Sequence, residues 1–414
     1  MRVLGIIAEY NPFHNGHLYH LKTSLHQTKA DYTIAVMSGS FLQRGEPAVF
    51  SKTVRAKMAV EAGIDLVLEL PTAYAVRSAP DFAFGGIKIL SAAQVVNFLS
   101  FGSESGDLTA LKKAAAITAN EPPAVSRLIR QYLKEGSSYP KAQMLAWQKY
   151  DPPTAKILQT PNNILGIEYL KALEHLSSRI IPLTFSRFKS NYHDTVMQDD
   201  GFASASAIRE CCFTHKNTAA ILENLRPFVP ETALTEIKQA LADHTGPVKL
   251  EDFSSPLLAL LQRTPASELS SYPDITEGLE KRLHRLAKAA ENINAFLEQA
   301  KTKRYTRVRL QRILIYLMLN LSKEKLDLFN QAGGPQYLRV LAFSQRSAPL
   351  LKELRKRASL PVIQKITKDS KGLNSPAQQM LELDLLASDI YRLGQPKVSP
   401  GATDFQLPYR SKSR

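Results

Sequence analysis

The chain has 414 residues, a length that predicts two or three domains. Hydrophobic residues make up 44% and charged residues 22%, which is typical of a folded globular protein, and no run of 18 apolar residues is present that could cross a bilayer. The formal net charge of +15 at pH 7 favours a polyanionic partner, RNA or DNA, over a membrane.

The chain opens with a predicted strand, turn and helix. Val3–Ala8 is apolar and predicts a buried strand, Asn11-Pro12 predicts a sharp turn, and Leu18–Gln27 predicts a helix. His14-Asn15-Gly16-His17 stands between the turn and the helix. A helix N-terminus binds anions, and a glycine there lets a phosphate approach the backbone, so this stretch predicts a nucleotide site.

The two histidines give this stretch its chemistry. Imidazoles three positions apart fall on one face of a first helical turn. We expect His14 and His17 to donate hydrogen bonds to the phosphates of a nucleotide as charge develops on the leaving pyrophosphate. The alternative is a histidine pair that only caps a helix or binds a metal ion, although no cysteine accompanies it as a further zinc ligand.

Four further strands alternate with helices over the first half of the chain. The predicted strands are Tyr32–Met37, Leu66–Leu70, Val95–Phe101 and Ile180–Phe185, and helices between them include Lys52–Ala62 and Pro161–Leu176. This alternation predicts an α/β fold with a doubly wound parallel sheet. Since such sheets bind ligands at the carboxyl ends of their strands, the loops after the first four strands are expected to meet at one edge.

The pattern also predicts a domain division. An α/β catalytic domain is expected over residues 1–215, with helical elements inserted at about 106–160. Beyond it, helical spacing dominates over Glu231–Ala242, Glu277–Ala300 and Val308–Leu321. We therefore predict a mainly helical, basic domain over residues 216–414, with a small mixed segment near 337–365.

Three loops carry further candidate ligands. Arg44 follows the second strand, and Lys52 and Arg55 follow on one helical face, so this loop is expected to hold an acyl acceptor or RNA; the alternative is a solvated turn. Gly102 follows the fourth strand, where bare backbone accommodates an adenine ring, although a glycine there is also a common turn residue. Asn162 is expected to form hydrogen bonds with the adenine or the ribose. The alternative is that Asn162 or Asn163 is only the N-cap of the predicted helix Pro161–Leu176.

A second phosphate-binding segment is predicted after the last strand. Ser204 and Ser206 stand at a helix start with Arg209 one turn later, and the alternative is again a helix cap. Arg187 is a further candidate phosphate ligand, with a surface arginine as the alternative.

The segment 301–312 contains six basic residues, no acidic residue and one tyrosine. Basic side chains interleaved with an aromatic ring suit an RNA backbone and a stacked base, whereas a charge run is often only a solvated face. The candidate RNA contacts of this segment are Lys301, Lys303, Arg304, Tyr305, Arg307, Arg309 and Arg312.

The adjacent Cys211 and Cys212 exclude a disulfide framework, which fits a reducing cytoplasm. Glu9 and Asn11 interrupt the apolar opening, so no secretory leader is expected.

Together these segments resemble the HIGH-type nucleotidyltransferase superfamily. His14–His17 matches its first signature, and Ser204–Arg209 resembles its second, from which it departs in its alanines. Within the superfamily, the run Gly5–His17 is similar to that of the bacterial tRNA(Met) cytidine acetate ligases. The same resemblance extends over most of the chain, through Ser38–Ala48, Glu69–Pro71, Phe101–Glu104, Pro161–Gly166 and Thr302–Thr306.

The resemblance implies an enzyme that makes acetyl-adenylate from acetate and ATP. The acetyl group would then pass to N4 of the wobble cytidine of elongator tRNA(Met) and give N4-acetylcytidine. Mg²⁺ is expected from the ATP chemistry, but the sequence does not identify its ligands, and Asp65 and Glu104 are no more than candidates. No obligatory protein partner is evident.

Carried over by position, the resemblance implies that His14 and His17 stabilise the phosphates during adenylate formation. It implies ATP contacts from Gly102, Asn162, Arg187 and the whole stretch Ile7, Ala8, Glu9, Tyr10, Asn11, Pro12, Phe13, His14, Asn15, Gly16, His17, Leu18, Tyr19 and His20.

Two rival functions remain open at this point. A small-molecule nucleotidyltransferase of cofactor synthesis accounts for the first half of the chain but not for a basic helical half. A non-catalytic RNA-binding factor that kept a nucleotide fold accounts for the charge but leaves the histidines without a role.

Overall fold

The computed structural model describes residues 1–186, 201–215, 217–276, 278–398 and 403–411. Arg187 lies outside the described residues. Among these residues, no helix combines the length and apolarity needed to cross a bilayer.

The first half of the chain alternates strands and helices, as predicted. Its strands are β1 (Val3–Ala8), β2 (Tyr32–Ser38), β3 (Leu66–Leu70), β4 (Phe98–Ser103) and β5 (Ile181–Ser186). Its helices are α1 (Asn15–Thr28), α2 (Lys52–Glu61), α3 (Thr72–Ala75), α4 (Ala79–Ala92), α5 (Leu108–Ala119), α6 (Pro123–Lys134), α7 (Tyr139–Tyr150), α8 (Pro152–Ile157) and α9 (Pro161–His175).

The remaining elements are mainly helical. The helices are α10 (Ala205–Thr214), α11 (Thr218–Leu225), α12 (Glu231–Ala242), α13 (Ser254–Arg263), α14 (Ala266–Leu269), α15 (Leu279–Ala287), α16 (Ile293–Ala300), α17 (Arg307–Met318), α18 (Lys323–Gln331), α19 (Ala348–Arg357), α20 (Ile366–Asp369) and α21 (Ser375–Leu393). Three short strands accompany them, β6 (Leu338–Phe343), β7 (Val362–Ile363) and β8 (Tyr409–Arg410), with 3₁₀ turns at Leu250–Phe253, Gln345–Ser347, Ser370–Gly372 and Thr403–Phe405.

The described strands form one sheet in the order β5-β4-β1-β2-β3-β6-β7. The first five are parallel, and β1 and β2 pair in register from Val3 opposite Tyr32 to Ala8 opposite Met37. One buried cluster includes residues of α4, α5 and α9, and a second includes residues of α1, α2, α10, α11 and α12. The predicted doubly wound α/β fold is confirmed.

The sheet extends past the predicted division at residue 215. Strand β6 pairs antiparallel with β3, with Phe343 opposite Leu66, and β8 pairs with β6. The segment 216–414 therefore contributes strands to the same sheet as the first half, and the mixed segment expected near 337–365 contains two of them.

Two local differences from the predicted elements have clear physical causes. Helix α4 has no counterpart among the predicted helices, and it contains a Gly85-Gly86 pair, a dipeptide that is common in turns. Here the glycines allow close packing, because a Cβ at Gly85 would come within 2.6 Å of Tyr74 Cβ and one at Gly86 within 2.7 Å of Ile7 Cδ1. Strand β4 starts three residues later than predicted, because the Asn97 side chain accepts a hydrogen bond from Val3 N at 2.8 Å at the strand entrance.

Candidate active site

A cavity of about 680 Å³ opens at the carboxyl ends of β1 and β4, which is room for a nucleotide and a small acceptor. Of the predicted ligands, those that line it are Ile7, Ala8, Glu9, Tyr10, Asn11, His14, His17, His20, Arg44, Gly102, Asn162, Ser204, Ser206 and Arg209. The carboxyl end of the sheet thus brings together residues that lie up to about 200 positions apart in the chain.

His14 and His17 cap helix α1 reciprocally. His14 is the N-cap and therefore lies just before the helix rather than within its first turn. Its Nδ1 accepts a hydrogen bond from Gly16 N at 3.0 Å, while Nδ1 of His17 accepts one from His14 N at 3.2 Å. An Nδ1 that accepts an N–H leaves the proton of a neutral ring on Nε2. The cap therefore sets the tautomer of both rings.

Aromatic packing fixes the orientation of the two imidazoles. Their ring centroids lie 3.8 Å apart, and His17 also packs against Tyr10 at 4.9 Å and Phe13 at 5.5 Å. Tyr10 has a φ of 47°, in the left-handed region that is costly for a residue with a Cβ. A pre-oriented ring pair is what stabilisation of a developing charge requires.

The segment 204–209 forms the opposite wall. Ser204 is the N-cap of α10, and its Oγ accepts a hydrogen bond from Ala207 N at 3.1 Å, so the cap alternative is correct for this residue although it also lines the cavity. The Arg209 guanidinium donates to Asn11 O at 3.1 Å and to Ser206 Oγ at 3.2 Å, and lies 3.6 Å from a Glu46 oxygen. Arg209 thereby connects the segment 204–209 with the turn at Asn11, just before the histidine pair, and with the loop that contains Glu46.

Glu104 organises the end of the cavity that contains Gly102. Its carboxylate accepts hydrogen bonds from Asn162 N, Asn162 Nδ2 and Asn163 N at 2.7–3.2 Å. The N-cap position of α9 is Thr160, so the interpretation of Asn162 or Asn163 as the N-cap is wrong. The amides at this helix start are bound instead by the carboxylate of Glu104, the first residue after β4, which holds Asn162 in the cavity wall.

Glu9 is a carboxylate in the cavity wall whose pKa is raised, chiefly by its burial. The backbone N–H of Gln43, which donates to Glu9 Oε1 at 2.9 Å, opposes this shift, as do the charges of Arg209 and Arg44, whereas Glu46 adds to it. Gln43 and Glu46 also line the cavity and were not predicted as site residues. Their place in the loop beside Arg44 is the signal that could have identified them.

Several residues predicted to contact ATP do not line the cavity, and two of them, Phe13 and Asn15, pack or bond elsewhere in the protein. Phe13 is fully buried, and the Asn15 side chain donates to the carbonyls of Gly201 and Pro227 at 3.0 and 2.9 Å. The residues of this group are Pro12, Phe13, Asn15, Gly16, Leu18 and Tyr19.

Lys52 and Arg55 are not available to RNA, and the prediction that they bind it is wrong. Lys52 is 3% exposed and pairs with Glu69 at 2.7 Å and with Asp404 at 3.0 Å. Arg55 is fully buried, donates to the carbonyls of Phe50, Glu9, Ser38 and Gly39, and has a pKa lowered to about 10 by that burial. It positions the loops after β1 and β2 rather than a substrate.

The basic segment 301–312 meets the cavity loop at Gly45. A Cβ at Gly45, where φ is +73°, would overlap the backbone of Gln311 and Arg312. Lys301, Lys303 and Arg304 are exposed, whereas Tyr305 is buried. The arginines of α17 contact acidic or carbonyl groups of neighbouring segments: Arg307 pairs with Glu298 at 2.6 Å, Arg309 donates to Asp274 O at 2.6 Å, and Arg312 pairs with Asp274 at 3.0 Å.

Neither candidate Mg²⁺ ligand suits that role. Both Glu104 oxygens accept N–H donors, and Asp65 pairs with Arg346 at the amino end of β3, at the opposite edge of the sheet. Within the part of the chain that the structure describes, no group of three or more His, Cys, Asp or Glu side chains is arranged to hold a metal ion.

Comparison with known proteins agrees with this geometry. The family model of the HIGH nucleotidyl transferases matches residues 1–404. A tRNA(Met) cytidine acetate ligase from Thermoanaerobacter sp. is 43% identical over 99% of either chain, and one from Acetivibrio thermocellus is 39% identical over 94% of either chain. The crystal structure of Thermotoga maritima TmcAL bound with alpha-thio ATP has 34% identity and a TM-score of 0.90, and it covers 99% of this chain and 100% of its own.

These findings define the class first. The chain belongs to the HIGH nucleotidyl transferases, whose family model covers residues 1–404. Within that class, the chain belongs to the family of tRNA(Met) cytidine acetate ligases.

Proposed function

We propose that this protein activates acetate with ATP as acetyl-adenylate and transfers the acetyl group to N4 of the wobble cytidine of elongator tRNA(Met). The observation that carries the proposal is the reciprocal cap of His14 and His17 at the helix start facing Arg209 across one cavity. The names of the relatives and the alpha-thio ATP bound to the Thermotoga protein support the choice of substrates.

In the first step, a carboxylate oxygen of acetate attacks the α-phosphorus of ATP, and the bond from that phosphorus to the bridging β-oxygen breaks. The Nε2–H groups of His14 and His17 donate to the pyrophosphate as its charge increases, and Arg209 and the amides at the start of α10 supply further donors. Asn162 and Gly102 hold the base and ribose at the other end. Positioning and charge stabilisation suffice for this step, with no covalent enzyme intermediate.

In the second step, the exocyclic amine of cytosine attacks the acetyl carbonyl carbon, and AMP leaves with the oxygen that joined it to the acetyl group. The amine nitrogen also loses a proton, which passes to solvent water. Because the nitrogen is a poor nucleophile, a preactivated acyl group is chemically required.

Elongator tRNA(Met) approaches through the side of the cavity that contains Arg44. The exposed Lys301, Lys303 and Arg304 precede α17, whose backbone packs on Gly45 in the same loop. This arrangement supports RNA contacts from the segment 216–414, next to the catalytic sheet.

Mg²⁺ remains a prediction that comes from ATP itself. Protein Mg²⁺ sites commonly rely on substrate phosphates, one or two carboxylates and water. The described residues provide no protein-only cage for the ion. A reducing cytoplasmic setting stays part of the proposal, since the two described cysteines are free thiols.

The test is an assay with [¹⁴C]acetate, ATP, Mg²⁺ and transcribed elongator tRNA(Met). Label should enter the tRNA only with ATP and should be lost in the His14→Ala and His17→Ala variants. If pyrophosphate is released with another small acceptor and no tRNA is labelled, the proposal is wrong and the cofactor-synthesis rival is correct.

A further inference from the structure

The helical insertion α5–α8 forms its own small core outside the main clusters. The side chains of this core are Val125, Ile129, Ala142, Ala146, Trp147 and Ala155. Helix α6 packs on α7, α7 on α8, and α8 on α5, which lies against α9. The insertion is therefore a compact layer attached to one face of the catalytic domain.

Both ends of the insertion lie at the cavity. The chain leaves the sheet after β4, where Gly102 and Glu104 line the cavity, and it returns through Gln159, Thr160 and Pro161, which also line it. A partner that binds this layer is therefore held next to the active site, because the two chain segments that join the layer to the sheet both line the cavity.

The layer is strongly basic. Residues 108–160 contain eight lysine and arginine residues and three acidic residues. Each acid accepts a hydrogen bond from a nearby polar side chain: Glu121 from Ser126, Glu135 from Gln131 and Asp151 from Thr154. None of the three forms an ion pair with a described cation, so the positive charge is not neutralised within the layer.

Helix α6 arranges part of this charge as one face. Arg127, Arg130 and Lys134 are three and four positions apart, which places them on the same side of the helix, and all three are exposed. Val125 and Ile129 on the other side are buried in the small core. No described carboxylate pairs with these three cations, in contrast to Arg307 and Arg312 of the segment 301–312.

We infer that the exposed face of α6 binds the phosphate backbone of the RNA substrate. A row of unpaired cations spaced along a helix matches the charge of a nucleic-acid backbone and releases its counterions on binding. The inference rests on the proposed function for the identity of the RNA. It assigns backbone contacts to the catalytic half of the chain, in addition to those expected from the segment 216–414.

The test compares two triple variants of the full-length protein. R127Q/R130Q/K134Q neutralises the α6 face, and K352Q/K356Q/K368Q removes the same charge from exposed residues of α19 and α20, which follow β6 at the opposite edge of the sheet. Elongator tRNA(Met) affinity is measured by fluorescence anisotropy between 50 and 300 mM KCl, and acetate-dependent ATP–pyrophosphate exchange is measured without RNA.

The α6 variant should bind tRNA at least about ten-fold more weakly at 0.1 M salt, with the slope of log Kd against log salt smaller by about 2 to 3. Its exchange activity should be native, and the charge-keeping R127K/R130K/K134R variant should bind as the native protein does. The matched variant should change affinity much less.

An unchanged Kd and slope in the α6 variant, or equal losses in both triple variants, would overturn the inference. So would native tRNA affinity combined with lost binding to anionic phospholipid vesicles, which would assign the face to a lipid surface. Failure of the proposed function looks different, because the native protein itself would then show no acetate-dependent exchange and no labelled tRNA.

Discussion

Gly45 and Arg312 are in direct backbone contact, and no side chain other than hydrogen fits between them. Gly45 lies in the loop that carries Gln43, Arg44 and Glu46 into the cavity, and Arg312 lies in α17, next to the exposed basic residues before it. A single contact therefore connects the candidate RNA-binding segment with the wall of the active site.

The Gly45→Ala variant tests this contact. Its loss of stability should contain two parts, the cost of an alanine in a left-handed conformation and the cost of the overlap with the backbone of Arg312. We expect a loss of stability well above the roughly 1–2 kcal/mol that a left-handed alanine costs, because the Cβ meets backbone. We also expect acetyl transfer to tRNA to fall more than acetate-dependent ATP–pyrophosphate exchange. Gly136→Ala is the matched control, since its φ is +87° and nothing lies within 4 Å of its added Cβ. Equal loss of stability in the two variants would contradict the contact.

The histidine pair combines a cap with chemistry, and His14→Asn should separate the two roles. Asparagine is a good N-cap, so its free energy of unfolding should stay near native, whereas His14→Ala should lose about 1 kcal/mol. Both variants lack the Nε2 donor and should slow ATP–pyrophosphate exchange about 100- to 1,000-fold. Native exchange rates in His14→Asn would show that the ring acts only as a cap. Urea unfolding and the exchange assay provide the two measurements.

Lys52→Met should destabilise the protein without changing the salt dependence of RNA binding. Removing one partner from a buried ion pair costs about 3–5 kcal/mol when the other charge is left alone. We expect the lower end of that range here, because Glu69 and Asp404 keep Arg339 as a second partner at 2.9 and 3.0 Å. Lys303→Met, at an exposed position of the basic segment, should behave in the opposite way and weaken tRNA binding at native stability. A Lys52→Met protein of native stability would refute the structural role of Lys52.

Asp384 should make the stability depend on pH in a predictable direction. Burial raises its pKa to about 6, while its carboxylate accepts hydrogen bonds from Thr72 N and Tyr337 Oη. Because the folded state then binds this proton more tightly than the unfolded chain does, the group contributes stability below about pH 4, and this contribution is lost as the pH rises through about 6.

The measurement for Asp384 is the difference in free energy of unfolding between the native protein and Asp384→Asn, from pH 4 to 7. The native protein should lose stability relative to the variant as the pH rises, by an amount on the order of 3 kcal/mol. A difference that is constant over this range would mean that Asp384 titrates normally.

The position of the cavity was predictable, because the carboxyl ends of parallel strands all lie at one end of the sheet. Because β1 and β4 run parallel, His14 after β1 and Gly102 near the end of β4 lie at the same carboxyl end of the sheet. The same geometry brings Arg44 to the cavity from the loop after β2.

The errors have a common physical origin in contacts that are distant in sequence. Lysine is a residue type that is usually exposed. The burial of Lys52 depends on its ion pairs with Glu69 and with Asp404, which is 352 positions away in the chain. The N-terminus of α9 is likewise bound by Glu104, which lies in the loop after β4, 58 positions before Asn162. Local patterns carry no information about such partners.

The antiparallel pairing of β6 with β3 also has a consequence for how this chain is made. Once residues 1–215 have left the ribosome, the five parallel strands β1–β5 are complete, yet the open side of β3 has no partner until β6 emerges as far as Phe343. At about 5–20 residues per second, that interval is on the order of ten seconds. A bare strand edge is a template for pairing with other chains, so this interval is when nascent copies are most exposed to aggregation.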